Sequence, residues 1–356
     1  MKIKEILKYS LSLKRTNLPI SLILLITARC NSRCEFCFFK NRLNKDYKEL
    51  TLGEIKNLSQ SLKKLNRLII SGGEPFLRDD LIEICKIFFE NNKVDELTIP
   101  TNGLMPQKIT EMSKRIFDSC KGINLMISIS IDAPPEVNDK IRGVKNSYFK
   151  ALETYKLLTK IKKDYKNLRV HVTTTISKYN YQYLDELIEM IKKDMPELNS
   201  HNFELIRSKH SIHCPDLPTL DQCLDFQKKH EVLVKNTKNH FSGSKIKSLI
   251  SIPIKNYKFD FIINILKKQK QPVKCLAGKI IGVINEVGDV FLCELLPSVG
   301  NIREKTFNEV WFSEKAEKQR KMISRKECWC THSCFQGTNI LYHPKNYLKI
   351  LNYLLK

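Results

Sequence analysis

An α/β fold built on a parallel sheet is what this sequence predicts, and three observations predict it. Short apolar or β-branched runs alternate with longer stretches of helical period about six times before residue 207. Polar and glycine-bearing segments fall just after the short runs, where strand ends would lie. At 356 residues the chain is long enough for one large domain plus a smaller module, with a core that needs no disulfide staples. Taken in order, the expected strands are Ile20 to Thr27, Arg67 to Ser71, Glu96 to Pro100, Asn124 to Ile131, Arg169 to Ile176 and Phe203 to Ile206. Helical period falls between them, as in Leu52 to Leu65, Leu81 to Asn91, Ser147 to Lys162 and Tyr183 to Lys193. Strand, helix, strand in repetition implies either an open doubly wound sheet or a curved partial barrel. The pattern is compatible with both.

Composition narrows the setting. The twelve cysteines cluster at 30 to 37 and 328 to 334, which reads as metal ligation in a reducing cytoplasm rather than a secreted disulfide framework. The formal charge of +23 would suit an anionic partner. Lysine, however, is spread through the chain with Asn and Ile, and no aromatic-interleaved basic stripe stands out, which argues against nucleic acid. Basic residues Lys2, Lys4, Lys8, Lys14 and Arg15 precede the apolar run Leu18 to Ala28, as in a signal peptide. Ala28-Arg29-Cys30 breaks the small-residue rule for cleavage, and so short a run cannot span a bilayer.

Beyond the sixth strand the pattern loosens between about Lys209 and Gln271, with Pro215, Pro218 and Pro253, and reads as a helical linker. Gly278 to Cys293 carries two short β-rich runs around Asn285 to Gly288, a hairpin signal. In the tail, Leu348, Leu351, Leu354 and Leu355 at helical spacing with Lys349 and Lys356 predict an amphipathic helix, packed on the body or lying on a membrane surface. The expected division is therefore 1–208, 209–271, 272–340 and 341–356. The expected location is cytoplasmic, with peripheral membrane contact as the alternative.

Cys30, Cys34 and Cys37 follow the first strand, separated by three and two residues. Three thiolates are what a cubane iron–sulfur cluster needs if one iron is to stay free for a substrate, whereas closed zinc sites want four ligands. The segment Cys-Asn-Ser-Arg-Cys-Glu-Phe-Cys, with Phe36 before the last Cys, resembles the signature of the radical S-adenosylmethionine (SAM) enzymes. That resemblance implies a partial (β/α)6 TIM-like barrel with chemistry at the C-terminal strand ends. It also implies a 4Fe-4S cluster on these three cysteines, with SAM chelating the fourth iron. Ser71-Gly72-Gly73-Glu74-Pro75 is similar to the family segment that binds the amino group of SAM, a role carried to Gly72, Gly73 and Glu74. Thr101-Asn102-Gly103 follows the third strand. Ser128, Ser130 and Asp132 alternate on one face of the fourth, where a hydroxyl and a carboxylate could hold a ribose. Asn138 to Gly143 resembles the segment whose Arg contacts the SAM carboxylate, which nominates Arg142. The expected cofactor-binding set is thus Phe36, Gly72, Gly73, Glu74, Asn102, Ser130, Asp132 and Arg142.

A second cysteine set comprises Cys275, Cys293, Cys328, Cys330 and Cys334. The order, a Cys, a hairpin, a Cys and a distal Cys group, resembles the C-terminal twitch or SPASM modules of radical SAM enzymes, which carry auxiliary clusters. Five cysteines suit one auxiliary 4Fe-4S cluster rather than two. Cys275, Cys293, Cys330 and Cys334 are the preferred ligands, with Cys328 as the substitute; spacing does not distinguish this site from Cys₄ zinc. The implied activity is reductive cleavage of SAM to a 5′-deoxyadenosyl radical that abstracts hydrogen from a peptide or protein side chain. A flavodoxin or ferredoxin would be the reductant. A sugar, cyclitol or lipid substrate, or a non-catalytic iron–sulfur or zinc scaffold, are the alternatives.

Overall fold

The computed structural model describes residues 17–207, 216–236, 245–346 and 349–350. The first half is a strict alternation. It runs β1 (Ser21–Thr27), α1 (Leu52–Ser61), β2 (Arg67–Gly72), α2 (Leu81–Asn92), β3 (Glu96–Thr101) and α3 (Pro106–Ser119). It continues through β4 (Asn124–Ser130), α4 (Pro135–Arg142), α5 (Ser147–Ile161), β5 (Leu168–Ile176), α6 (Leu184–Asp194) and β6 (Ser200–Leu205). Two long helices follow, α7 (Leu220–Asn236) and α8 (Lys245–Lys268). The C-terminal part holds β7 (Ile281–Ile284), β8 (Asp289–Phe291), β9 (Gly300–Asn301), α9 (Phe307–Trp311), α10 (Glu314–Ser324) and α11 (Ser333–Tyr342).

Among the described residues all nine strands form one sheet, ordered β6-β5-β4-β3-β2-β1-β7-β8-β9. The pairs from β6 across to β7 are parallel, and only β8 and β9 turn antiparallel. Each strand lies beside its predecessor because a helical crossover returns the chain to the sheet. This is the partial barrel, left open beyond β6. Every residue of β1 is buried, as expected for a strand flanked by β2 and β7 and covered on both faces. The predicted hairpin is present as β7–β8, and β7 pairs directly with β1, so the auxiliary half continues the barrel sheet. Gly282 lies flat under Trp311, where a Cβ would come within 2.7 Å of the indole.

The expected helix Leu52 to Leu65 stops at Ser61, because Leu62 turns extended and the side-chain amide of Asn92 bonds the carbonyls of Ser59 and Lys63. Leu65 keeps the apolar period but is buried from the turn. The sequence reading passed over α3 and α4, although Pro106 and Pro135 mark their first turns. Within the stretch expected as a helical linker, the described residues form two helices that pack together. Phe226 of α7 contacts Phe203 of β6 and Phe259 of α8, within a second core that includes Leu205, Ile262 and Ile340. Pro253 does not end α8, which continues into the buried run Phe259 to Leu266. Most of the expected tail helix lies outside the described residues. No described helix is long and apolar enough to cross a membrane.

Ion pairs join the two halves, among them Glu54 with Arg303. Glu54 closes the capping box of α1 on Thr51 and takes Arg303 at 2.6 Å through Nε and 3.2 Å through Nη2. The Arg303 contact, helped by Thr51, holds the Glu54 carboxyl down at about 2. A depressed carboxylate stabilises the fold above its unfolded pKa, near 4.3, and loses that contribution as pH falls towards 2. Glu54→Gln is therefore expected to cost about 1 kcal/mol at pH 7 and progressively less below pH 4, read by urea unfolding across pH. An equal cost at pH 7 and pH 3 would contradict the assignment.

Candidate active site

The end of β1 is built to project a loop over the barrel mouth. Arg78 donates to the carbonyl of Ile26 at 2.6 Å and to that of Leu50, with Asp80 on its Nε at 2.6 Å. Glu49 accepts from Thr27 Oγ1 at 2.5 Å and from Ala28 N at 3.0 Å. Asn44, in the left-handed region at φ 56°, brackets Cys30: its Oδ1 accepts from Cys30 N at 2.9 Å and its Nδ2 donates to Cys30 O at 3.0 Å. Arg33 N and Glu35 N donate to the carbonyls of Arg142 and Ile141, so the last turn of α4 fixes the middle of the loop.

The β2 turn closes against the same loop. Gly73 N donates to Thr27 O and Glu74 N to Arg29 O, both at 2.8 Å. A Cβ at Gly73 would sit 2.2 Å from the Arg29 carbonyl oxygen and 3.0 Å from Cys30 Cβ. Only glycine permits that approach. Gly73→Ala is expected to leave a protein that folds poorly or holds about four fewer irons per chain. An alanine variant with wild-type iron content would show that the approach is dispensable.

These segments enclose a cavity of about 490 Å³ lined by Cys30, Cys34, Phe36, Cys37, Gly72, Gly73, Glu74, Asn102, Ser130 and Arg142. Glu204, Arg207 and Asp216 complete its far side. The structure thus brings together all of the expected cofactor residues except one. Asp132 is fully buried behind the cavity, where it pairs with Arg142 Nη2 and accepts from Thr175 N at 2.8 Å. This corrects its expected place on the ribose-facing surface: the fourth strand ends at Ser130, and the chain beyond it turns inwards. Ser128 likewise bonds Thr173 across the sheet.

Asp132 acts instead on Arg142, whose Nη1 lies 3.6 Å from Cys34 Sγ and whose Nε is buried without a hydrogen-bond partner. Ser32 Oγ lies 3.2 Å from the same sulfur. Burial pushes the Cys30 thiol up to about 12, with Glu74, Cys34 and Cys37 adding to it, and burial raises Cys37 as well. Three half-buried thiols whose thiolates would repel one another favour a cationic centre, which would ionise them. Glu74 accepts from Asn102 N at 2.7 Å, Thr101 Oγ1 at 2.9 Å and Phe76 N at 3.3 Å, yet complete burial lifts its carboxyl to about 7. A cationic ligand group against it would restore the ionised form. Thiol set, glycine cradle and buried carboxylate all fit a cluster with SAM on its open iron.

The C-terminal thiols divide. Cys275, Cys293, Cys328 and Cys330 line a second, small cavity of about 20 Å³ with Trp329, Ile323 and Phe335. Burial raises Cys293 well above the ordinary range and Cys330 to about 12, and each is raised further by Cys275. Apart from the four thiols, the residues around the cavity are mostly apolar. Cys334 is not on that cavity. It begins α11, and besides burial its thiol is raised by Glu204 and Glu294 and lowered by Arg67 and Arg207. The cavity thus gathers Cys328 with the other three thiols, whereas the sequence reading preferred Cys334 in that place.

Three residues not anticipated from sequence connect the cavities. Glu294, next to Cys293, pairs with Arg207 and accepts from His332 Nε2 at 2.8 Å. Burial alone would raise Glu294, but the Arg207 and His332 contacts hold it at about 2. Arg207 also stacks 3.7 Å over the Phe38 ring of the cysteine loop. His332 is thus a buried brace between the thiols. These partners lie 38 and 87 residues apart in sequence, and no local pattern announces them.

Comparison with known families matches residues 24–191 to the radical SAM superfamily and residues 275–335 to SPASM, an iron–sulfur cluster-binding domain. The chain belongs to the radical SAM superfamily. Its radical SAM domain implies a 4Fe-4S cluster and SAM, and its SPASM domain implies an auxiliary iron–sulfur cluster. It is 26% identical over 328 residues to the AdoMet-dependent heme synthase of Methanosarcina barkeri, covering 88% of this chain and 87% of that protein. To the cysteine-type anaerobic sulfatase-maturating enzyme of Clostridium novyi it is 24% identical, covering 81% and 77%. The solved structure of anSMEcpe with bound AdoMet superimposes with a TM-score of 0.60 at 15% identity, over 94% of this chain and 97% of that one. This radical SAM/SPASM enzyme is related to peptide-modifying maturases.

Proposed function

We propose that this radical SAM enzyme cleaves SAM reductively at a cluster held by Cys30, Cys34 and Cys37 and modifies a peptide or protein side chain. The observation that carries the first part is the convergence of three thiols, the Gly72–Gly73 cradle and Glu74 on one cavity at the barrel mouth. The bound cluster and SAM supply a 5′-deoxyadenosyl radical able to take hydrogen from an unactivated C–H bond. The protein's own work is positioning and exclusion of water. Glu74 and the Gly72–Gly73 backbone receive the ammonium of the methionine moiety. Arg142, oriented by buried Asp132, receives its carboxylate while lending positive charge to Cys34. Ser130 and Asn102 reach the nucleoside, and Phe36 offers it a ring face. Cys275, Cys293, Cys328 and Cys330 hold the auxiliary cluster.

The substrate side of the cavity carries both signs of charge, from Glu35, Lys40, Glu204, Arg207 and Asp216, beside half-exposed Phe38. Such a wall suits an extended polar chain, in keeping with the relationship to the sulfatase-maturating enzyme. A tetrapyrrole is the second reading, favoured by the heme synthase relative that spans most of the chain. Anaerobically reconstituted, dithionite-reduced protein should release 5′-deoxyadenosine from SAM, with flavodoxin or ferredoxin as the natural electron donor. Candidate peptides or iron-coproporphyrin should then accelerate that release. No 5′-deoxyadenosine under any condition would refute the reading.

A further inference from the structure

Two side-chain amides on α11 are aimed at thiols of the auxiliary site. Gln336 Nε2 lies 3.3 Å from Cys330 Sγ and 2.9 Å from the Cys330 carbonyl. One turn on, Asn339 Nδ2 lies 3.4 Å from Cys275 Sγ. Both residues are fully buried. Their orientation is fixed by the network around them, since Asn339 Oδ1 accepts from Leu276 N at 2.8 Å and its Nδ2 donates to Gln336 Oε1 at 3.0 Å. With Gln336 Oε1 so occupied, its NH₂ group must face Cys330. The spacing of three residues on one helix places both donors on the same face.

The geometry points to a specific role: Gln336 and Asn339 set the reduction potential of the auxiliary cluster by donating N–H···S hydrogen bonds to two of its thiolates. This rests on the assignment of Cys275, Cys293, Cys328 and Cys330 as ligands. A donor at a ligating sulfur withdraws negative charge and favours the one-electron reduced state, so each bond raises the potential. The SAM-side thiols have different neighbours: Asn102 Nδ2 stands 3.9 Å from Cys30 Sγ and is engaged with Asn31 at 2.7 Å, while Cys34 is met by Ser32 Oγ and Arg142.

The test is an EPR-monitored redox titration of the reconstituted full-length protein and two variants. Gln336→Met removes the donor to Cys330 and Asn339→Leu the donor to Cys275, neither adding charge. Wild type should contain about eight irons per chain, and both variants should titrate the auxiliary signal at a more negative potential while the SAM-cluster signal stays in place. Variants with full iron and an unmoved auxiliary potential would overturn the role of the two amides and leave the ligand assignment standing. A wild-type protein with only about four irons would overturn the ligand assignment itself, and this inference with it.

Discussion

Replacing Cys34 by Ala is expected to abolish 5′-deoxyadenosine formation and to lower iron by about four per chain, leaving the auxiliary cluster spectroscopically intact. Cys34 is the most heavily supported of the three mouth thiols, contacted by Ser32 Oγ and by Arg142. Its loss leaves Arg142 and Asp132 paired but without an anionic neighbour, and two thiolates cannot hold a cubane open on one iron. The loop itself should survive, because its main-chain bonds to Ile141 and Arg142 and the Asn44 bracket do not involve the sulfur. Iron content with a SAM-cleavage assay checks this. A Cys34→Ala protein that still turns SAM over would place the reacting cluster elsewhere.

The second large effect separates two cysteines six residues apart. Cys328→Ala should cost about four irons and the auxiliary EPR signal, whereas Cys334→Ala should keep both. The reason is geometric: Cys328 lines the small cavity with Cys275, Cys293 and Cys330, and Cys334 is not among its walls. The opposite result, cluster loss at 334 and retention at 328, would restore the order of preference read from the sequence.

Much of the fold was legible because its signals are local. A fully buried β1 reads as a continuous apolar run, and the β2 to β5 runs end where polar residues begin. The mouth of the site was legible for the same reason: Cys30 to Cys37 and Ser71 to Pro75 are contiguous segments that meet through neighbouring strand ends. What escaped depends on distance in sequence. Whether Cys328 or Cys334 turns towards Cys275 depends on where α11 starts, which one- and three-residue spacings do not encode. The contact of Glu294 with Arg207 and His332 and that of Gln336 with Cys330 exist only once β7 docks on β1. Asp132 was misplaced because period-two alternation was extended past the point where β4 ends and Asn138 Oδ1 captures the Asp132 amide. The helical character of 209–271 was legible, but the packing of α7 and α8 against β6 is tertiary and leaves no local signal.

The central claim is an iron at the barrel mouth with no protein ligand, open to SAM. Its most direct measurement is the EPR spectrum of the dithionite-reduced protein with and without SAM, repeated with SAM carrying ¹⁷O in its carboxylate. Direct coordination predicts a shifted signal in the presence of SAM and further broadening with the label, both absent from Cys34→Ala. A reduced-cluster spectrum indifferent to SAM and to the isotope would contradict the account.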